Sequence, residues 1–493
     1  MGPMKKTSKL ILFFVLFPIF LGSAFMLGKT LLKRYTWEIN YFLYGKKSST
    51  KQEFIFHTQS SSEKPFDLAS SETPNIILIS LDTLRAQSMS CYGFAKKTTP
   101  FLDQLAKEGV LFENMCAAST STPPSHMSMM TGLYLGVHGV LNEQVLAPKI
   151  KTLPEILSET GYVTCAVTEN GFLIRDMGFG RGFDDYYEIK DVVLFDKLFV
   201  AGGFAKDVFE RGKTWIEEKK HQKFFLFLHT YEVHSPYFPP APYDTMFLDN
   251  PSTYENYLKR TREYKGRINY KQLPPEFVRA QYEGEARYVD EIIKDFITFL
   301  KERGLEDKTL LIITSDHGEE LFEQQSRVGH GYFTYDVESH IPFIMWMPGT
   351  IPSGTRIKNQ VSNVDILPTL VDFLDLSHDE RVQGKSLYPL VVNPAQKDNR
   401  HVFCEANNQN CVRSLEYKFI DSNELFLYDS DPEEQDNKAA LNQELCMSAT
   451  QLLTAFRKEC RSMRMEKGLH KSDETINLSE TDINKLKVLG YID

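Results

Sequence analysis

The chain contains five short, continuous apolar runs separated by segments of helical periodicity, and this alternation limits the possible folds most. The apolar runs lie at residues 75–81, 162–167, 224–229, 309–314 and 341–347. The helical segments lie at residues 101–108, 153–160, 206–219 and 278–303. Continuous apolar runs of this length are typical of parallel strands that helices cover on both faces. The sequence therefore predicts an α/β fold with a doubly wound, mostly parallel sheet flanked by helices.

Four regions follow one another along the chain. Residues 1–28 are a basic tail and an uncharged run (10–28), whose 19 residues are long enough to span a bilayer as a helix. Residues 29–73 are a polar linker rich in serine and threonine. Residues 74–394 hold the apolar runs, and residues 395–493 read as a small α+β subdomain with an antiparallel sheet and a helix.

The first region has two interpretations. It is either an uncleaved transmembrane anchor or a signal peptide that is cleaved after the small residues Gly22, Ser23 and Ala24. We favour the anchor. An anchor predicts a single-pass membrane protein with its catalytic domain on the extracytoplasmic side, and cleavage predicts a secreted or periplasmic protein. Both interpretations export the rest of the chain.

Composition excludes several classes of protein. The 66 acidic and 56 basic residues give a net charge of −10, whereas surfaces that bind nucleic acid are basic, so we expect no nucleic-acid partner. Seven cysteines without any C-x-x-C pair argue against a disulfide scaffold or a zinc ribbon. What remains is an ordinary globular protein.

Polar residues follow the first and fourth apolar runs directly. Asp82 follows the first run, and Asp316 and His317 follow the fourth. The carboxyl ends of parallel strands form the ligand-binding edge of such a sheet. Each aspartate taken alone also suits the cap of the following helix. Together, two carboxylates and an imidazole at one edge predict a site for a divalent cation.

Thr122 marks a third candidate element. It stands before Pro123 and Pro124 and a helix-forming stretch, which places it near a helix N-terminus. Backbone N–H groups at that position favour a bound anion. An N-capping threonine is the structural alternative.

Several motifs in this order resemble the sulfatase family of the alkaline phosphatase superfamily. Among them are PNIILISLDTLRA, TPPSHMSMMTG and SDHGEE, and the resemblance extends from Pro74 to Asp493. It implies an alkaline phosphatase/sulfatase-like fold and one divalent metal ion: calcium, magnesium, manganese or zinc. The implied metal ligands are Asp82, Thr122, Asp316 and His317.

The resemblance also implies roles in catalysis and substrate binding. Thr122 falls at the nucleophile position and His126 at the position of a basic catalytic residue, where the family has arginine. His234 and His330 match positions that contact the ester and assist the leaving group. Arg85 and Asn170 are candidates for substrate binding, although a structural salt bridge is an equal alternative for Arg85.

Three departures from the family pattern affect the predicted chemistry. Threonine replaces the cysteine or serine that sulfatases convert to formylglycine, so the aldehyde-hydrate mechanism is absent, and phosphoryl transfer is favoured over sulfuryl transfer. Asn170 lies where the family has a lysine-x-histidine pair. Thr83 replaces a second aspartate, which indicates a single, weaker metal site.

The leading hypothesis is an exported, metal-dependent hydrolase or phosphotransferase that cleaves or transfers phosphate esters with Thr122 as nucleophile. One alternative is a sulfuric ester hydrolase that acts without formylglycine. Another is a non-catalytic pseudoenzyme that binds an ester or a glycan. The expected partners are an anionic ester on a glycan or lipid headgroup, and the membrane through the N-terminal helix.

Overall fold

The computed structural model describes residues 73–141, 144–169, 171–189, 205–263, 270–324, 326–377, 381–407 and 409–469, without the side chains of 260–263. The predicted anchor and all of the linker except Thr73 lie outside these residues. Within the described ranges, no helix is both long and apolar enough to cross a bilayer. The predicted membrane segment stays a prediction.

The strands comprise one large sheet, one small C-terminal sheet and a two-stranded hairpin. In chain order they are β1 Asn75–Leu81, β2 Val110–Cys116, β3 Val163–Thr168, β4 Asp185–Glu188, β5 Phe224–Thr230, β6 Thr309–Thr314, β7 Glu320–Leu321, β8 Val328–Gly329, β9 His340–Ile341, β10 Phe343–Trp346, β11 Thr355–Ser362, β12 Val402–Glu405, β13 Asn410–Arg413, β14 Tyr417–Ile420 and β15 Glu424–Leu427.

The large sheet is mostly parallel, as predicted. Its order is β11-β2-β10-β6-β1-β5-β3-β4, with β9 paired to β2. β1 lies in the middle and pairs in parallel with both β5 and β6. β9 and β10 are the exceptions, because β9 runs antiparallel to β2, and β10 runs antiparallel to β2 and β6. An apolar run carries no information on strand direction, so this departure was not visible in the sequence.

Helices cover both faces of the large sheet. They are α1 Pro100–Glu108, α2 Thr122–Thr131, α3 Leu135–His138, α4 Leu153–Glu159, α5 Ala205–Lys219, α6 Tyr243–Met246, α7 Glu255–Glu263, α8 Pro275–Glu302, α9 Asp336–Ser339, α10 Ile366–Phe373, α11 Tyr388–Val392 and α12 Gln443–Glu466.

Alternate side chains of β1 enter two separate apolar layers. Ile76 and Leu78 belong to a layer that includes α2, α4 and α10. Ile77 and Ile79 belong to the opposite layer, which includes α1, α5 and α8. A strand that is buried on both faces has no polar side to alternate with, which explains its continuous apolar run.

The C-terminal sheet has the order β12-β13-β14-β15 and is antiparallel throughout. Its inner face packs against α12 through residues such as Val412, Phe419 and Leu453. All the described residues belong to one compact unit, which spans residues 58–493. A domain boundary at residues 394/395 stays a prediction.

Four buried charged side chains tie this sheet to α9, and we call them the C-terminal ion cluster: Asp336, Arg413, Lys418 and Glu434. Arg413 binds the Asp336 carboxylate through two nitrogens, at 3.0 and 2.8 Å. The Lys418 ammonium lies 2.5 Å from Asp336 and 2.9 Å from Glu434. Two cations therefore face two anions inside the protein.

Candidate active site

Asp82, Asp316 and His317 converge at the carboxyl edge of the large sheet. Asp82 directly follows β1, and Asp316 and His317 lie just beyond the neighbouring strand β6. All three side chains are fully buried, and one ligand atom from each lies within 4.8 Å of the others. Among the described residues, this is the only such group of histidines, cysteines or acids. The structure thus brings together three of the four residues that we predicted to bind metal.

Thr122 lies beside this group at the first position of α2. Its Oγ1 atom is 3.3 Å from Oδ2 of Asp82 and 3.2 Å from Nε2 of His317. Pro123 and Pro124 fit the first helical turn because its N–H groups need no intrahelical partner. The helix ends at Gly132, whose φ of 65° suits glycine. The local sequence therefore fixes the hydroxyl at the helix N-terminus, against the carboxylate and the imidazole.

The negative charges of the Asp82 and Asp316 carboxylates are not compensated within the described part of the protein. Oδ1 of Asp82 and Oδ2 of Asp316 are buried and make no hydrogen bond there. Burial, together with the charge of Asp316, raises the pKa of Asp82 well above its usual value. Two close, buried carboxylates with unused oxygens are a suitable donor set for a divalent cation.

His317 has the tautomer that a metal ligand needs. Its Nδ1 lies 3.0 Å from the carbonyl oxygen of Gly318. A carbonyl only accepts, so Nδ1 carries the proton and Nε2 presents its lone pair to Thr122 and the carboxylates. Burial lowers the pKa of His317 to about 4, which keeps the ring neutral at physiological pH.

Thr83 occupies the place of the absent second aspartate, and its backbone is strained. Its φ is 60°, which is unusual for a β-branched residue. In this conformation its N–H donates to Oδ1 of Asp316 at 3.3 Å. Its hydroxyl donates to the carbonyls of Asp82 and Val233 at 2.7 and 3.0 Å. Thr83 therefore links the chain after β1 to Asp316 through its main chain.

His229 belongs to the site although we did not predict it. It lies near the end of β5, and its Nε2 is 3.2 Å from Oδ2 of Asp82. The available signal was its position: β5 neighbours β1, and His229 pairs in register with Ser80, two residues before Asp82.

His126 lies behind Thr122. Its Nδ1 is 2.9 Å from the carbonyl oxygen of Thr122, and its Nε2 is 2.9 Å from the hydroxyl of Ser80. The ring is fully buried, and burial lowers its pKa. Both nitrogens are thus engaged inside the protein, which suits support of the Thr122 main chain better than contact with substrate. The catalytic role of His126 stays a prediction.

His234 and His330 extend from His317 as a line of imidazoles. The ring of His330 lies 4.3 Å from that of His317, and the ring of His234 lies 5.0 Å from that of His330, centroid to centroid. Burial lowers the pKa of each to about 4. The structure therefore brings both predicted leaving-group residues next to the metal-site histidine.

The two predicted substrate-binding residues differ in outcome. Arg85 is buried, donates to the carboxylate of Glu323 at 2.8 Å and to the carbonyl of Glu319 at 3.1 Å, and bonds Ser88 at 2.8 Å. These contacts include the salt bridge of the structural alternative, and the substrate-binding role of Arg85 stays a prediction. Asn170 lies outside the described residues.

The fold and the site together define a class of protein. It is an α/β protein whose sheet edge carries two buried carboxylates and an imidazole within reach of a threonine hydroxyl, a set of groups typical of hydrolases.

The chain belongs to the sulfatase family. The family model for sulfatases matches residues 74–376, more than half of the 493 residues. A model for the C-terminal part of N-sulphoglucosamine sulphohydrolase matches residues 329–459. This confirms the family resemblance found in the sequence.

Curated relatives and solved structures agree with this assignment. An N-acetylglucosamine-6-O-sulfatase of Bacteroides thetaiotaomicron is 25% identical, with 74% of this chain and 82% of the relative covered. An arylsulfatase of Clostridium perfringens is 26% identical, with 74% and 90% covered. The phosphonate monoester hydrolase structure of Agrobacterium radiobacter has a TM-score of 0.64, 22% identity, and 78% of this chain and 96% of that chain covered. The similarity to the phosphonate monoester hydrolase structure shows that the two proteins share a fold.

Proposed function

We propose that this protein is a metal-dependent hydrolase of ester-linked oxyanions, that Thr122 is its nucleophile, and that the group it transfers is phosphoryl. The observation that carries the proposal is the position of Thr122 Oγ1, 3.3 Å from Asp82 Oδ2 and 3.2 Å from His317 Nε2. A hydroxyl with a carboxylate and an imidazole in reach has partners for its proton.

The donor set fits one divalent cation. Asp82, Asp316, His317 and Thr122 would hold it, through oxygen atoms and one imidazole nitrogen, a set open to calcium, magnesium, manganese or zinc. When bound, the cation supplies positive charge that lowers the pKa of the hydroxyl and stabilises the oxygens of the transferred group.

Four protein side chains have further roles in the proposed reaction. Asp82 accepts the hydrogen bond of the Thr122 hydroxyl through Oδ2. His229 holds that same carboxylate oxygen from the strand side, at 3.2 Å. His330 and His234 lie beyond His317, where an imidazole can give the departing alcohol its proton.

The identity of residue 122 supports phosphoryl transfer. Oxidation of threonine would give a ketone, so Thr122 cannot become the formylglycine of sulfatases. A phosphothreonine intermediate can be cleared by in-line attack of water next to a metal. A sulfothreonine would need the same attack without the elimination that an aldehyde hydrate offers.

A second candidate is hydrolysis of sulfate esters with an unmodified threonine. The names of the relatives favour it, because they include an N-acetylglucosamine-6-O-sulfatase, an arylsulfatase and an ulvan-active sulfatase. A related solved structure contains D-glucosamine-2-N,6-O-disulfate as its substrate. These names also support a sugar ester as the substrate of this protein in either case.

The test compares aryl phosphate, aryl phosphate diester and aryl sulfate turnover by the full chain with each of the four metals. We expect metal-dependent phosphate release, a loss of roughly 10³-fold or more in Thr122→Ala, and retained turnover in Thr122→Ser, which keeps the hydroxyl. Thr122-dependent release of sulfate would replace the phosphoryl proposal by the second candidate. Full turnover in Thr122→Ala would exclude a threonine nucleophile.

We also propose that the protein is exported and anchored by residues 10–28. The support is the length and apolar character of this run, with basic residues on both sides. In cells that express the full chain, we expect it in the carbonate-washed membrane fraction with its N-terminus intact. An N-terminus that begins after Ala24 would indicate a cleaved signal peptide instead.

A further inference from the structure

Glu319 is a buried acid that contacts the leaving-group histidine His330 and follows the metal-site histidine His317 by two residues in the chain. Its side chain is fully buried, and both carboxylate oxygens are engaged. Oε1 lies 2.9 Å from Nδ1 of His330, and Oε2 accepts the hydroxyl of Tyr237 at 2.7 Å. The two partners bind different oxygens, so the contact with His330 uses Oε1 alone.

A short hairpin explains why these two residues meet. β7 pairs with β8 so that Glu320 faces Gly329 and Leu321 faces Val328. The next position in this antiparallel register places Glu319 opposite His330. The contact is therefore a consequence of the backbone, and Arg85 supports it by donating to the carbonyl of Glu319 at 3.1 Å.

The bond to Glu319 determines which way the His330 ring faces. Nδ1 points to the carboxylate, and Nε2 lies on the far side of the imidazole ring from it. The ring is 4.3 Å from His317, whose Nε2 is 3.2 Å from Thr122 Oγ1. His330 is thus held one ring away from the nucleophile, with its second nitrogen turned away from Glu319.

We propose that Glu319 is a positioning residue that holds His330 in the orientation needed to protonate the leaving alcohol. The kinetic part of this proposal rests on the proposed function. In the step it supports, the Thr122 hydroxyl gives its proton to Oδ2 of Asp82, and Oγ1 bonds to phosphorus while the bond from phosphorus to the alcohol oxygen breaks. The step starts from His330 as an imidazolium, with a proton on each nitrogen. The electron pair stays on the alcohol oxygen, which takes the Nε2 proton of His330, and Nδ1 keeps its own proton and its bond to Glu319.

The kinetic test varies the leaving group. Alkyl phosphates need the proton, and p-nitrophenyl phosphate leaves without it. In Glu319→Gln we expect a loss of about 10²-fold in kcat for an alkyl ester, a change within about 3-fold for the p-nitrophenyl ester, and an unchanged KM. His330→Gln should show the same pattern, and the double variant should lose no more than either single one.

A matched control separates positioning from packing. Tyr237→Phe removes the other hydrogen bond to the same carboxylate and leaves the contact with His330 intact. We expect it to keep the wild-type dependence on the leaving group. Equal losses on both ester types in Glu319→Gln, or a pattern in Tyr237→Phe that matches Glu319→Gln, would overturn the proposal.

A second readout does not depend on activity. The ¹⁵N shifts of the His330 ring report which nitrogen is hydrogen-bonded to the carboxylate. We expect the Nδ1 signal of the full chain to move in Glu319→Gln and to stay in Tyr237→Phe. An Nδ1 signal that is unchanged in Glu319→Gln would contradict the orientation. Failure of the proposed function would appear differently, as the absence of Thr122-dependent turnover on every ester.

Discussion

Two clusters of buried charge in the described part of the protein differ in how that charge is balanced. In the C-terminal ion cluster, Arg413 and Lys418 neutralise Asp336 and Glu434 at hydrogen-bonding distance. In the active site, the only basic side chains of the described residues that lie within 4 Å of the Asp82 and Asp316 carboxylates are histidines. Burial lowers the pKa of His317 and of His126. Neutral imidazoles do not balance two carboxylates.

The difference shows what each cluster is for. A buried charge is tolerated only when an opposite charge or a metal compensates for it. The C-terminal ion cluster is complete within the chain and joins α9 to the small sheet. The described residues of the active site supply no such opposite charge, which supports the proposal that the site binds a cation from outside.

The two regions are also connected. Gly318, next to His317, donates its N–H to the carbonyl of Glu338 at 2.7 Å. A side chain at Gly318 would lie 2.2 Å from the carbonyl oxygen of Val337, so only glycine fits. Both carbonyls belong to α9, which the C-terminal ion cluster anchors through Asp336. The C-terminal ion cluster thus supports, through α9, the backbone next to His317 in the active site.

The largest expected effect concerns the cation itself. Asp316→Asn removes one of the two carboxylates, so we expect weak binding of the cation and a loss of turnover of about 10⁴-fold, or about 5.5 kcal/mol. Steady-state kinetics over a metal titration measures it. Wild-type protein treated with a chelator should lose turnover in the same way and regain it with one of the four metals. Turnover that survives chelation would contradict the proposal that the active site needs a cation.

The next effect is the stability of the balanced cluster. Lys418→Met leaves the buried carboxylates of Asp336 and Glu434 without their lysine, so we expect the free energy of unfolding to fall by about 3–5 kcal/mol. Urea unfolding measures it. The control is Lys385→Met, since Lys385 forms an exposed pair with Asp398 and its loss should cost about 0.5 kcal/mol or less. Equal effects of the two substitutions would show that the buried cluster is not a structural one.

In the active site of the metal-free protein, removal of a buried carboxylate should raise the free energy of unfolding, whereas removal of Lys418 from the C-terminal ion cluster should lower it. Without metal, Asp82 is a buried carboxyl whose pKa is raised by burial and by Asp316. Asp82→Asn removes this penalty, so we expect the metal-free protein to gain about 2 kcal/mol in free energy of unfolding. With saturating metal the order should reverse, because only the wild type gains stability from the cation. Urea unfolding with and without chelator measures both. A less stable metal-free variant would contradict the comparison.

The sequence predicted the parts of the fold that rest on continuous patterns. β1 and β6 are buried on both faces, so their apolar runs and the polar residues after them were visible. β2 contains Glu113 and Asn114, and β11 at the sheet edge alternates with polar residues, so neither gives a continuous run. β13 in the small sheet gives no continuous run either, since only two of its four residues are apolar.

The residues of the site likewise fall into those that the sequence predicted and those that it did not. Asp82, Thr122, Asp316 and His317 were found because each follows a strand or begins a helix, and such positions fix where a side chain lies. The direction of a side chain within a turn is not fixed by position. The sequence therefore did not show that the nitrogens of His126, predicted to be catalytic, bond to Ser80 and Thr122, or that Arg85, predicted to bind substrate, pairs with Glu323. Glu319 was missed because its partner depends on the register of a two-residue hairpin.

The smallest expected effect concerns His138, which is buried like both clusters but carries no charge. Its Nδ1 accepts the N–H of Val140 at 3.0 Å, and its Nε2 bonds the hydroxyl of Ser128 at 3.1 Å. A proton on Nδ1 would break the first bond, and burial lowers the pKa of His138 to about 3. The unfolded chain takes up this proton near the ordinary value of 6.5 and the folded protein does not. Stability is therefore lost as the pH falls below 6.5.

The measurement compares slopes, so the lower absolute stability of a variant does not matter. Between pH 7 and pH 5.5, we expect wild type to lose about 1 kcal/mol more of its free energy of unfolding than His138→Asn, which cannot be protonated. Urea unfolding at the two pH values gives both numbers. Parallel losses in the two proteins would mean that His138 accepts its proton in the folded state. His138 would then differ from both clusters, because it would carry a buried charge with neither an oppositely charged partner nor a metal.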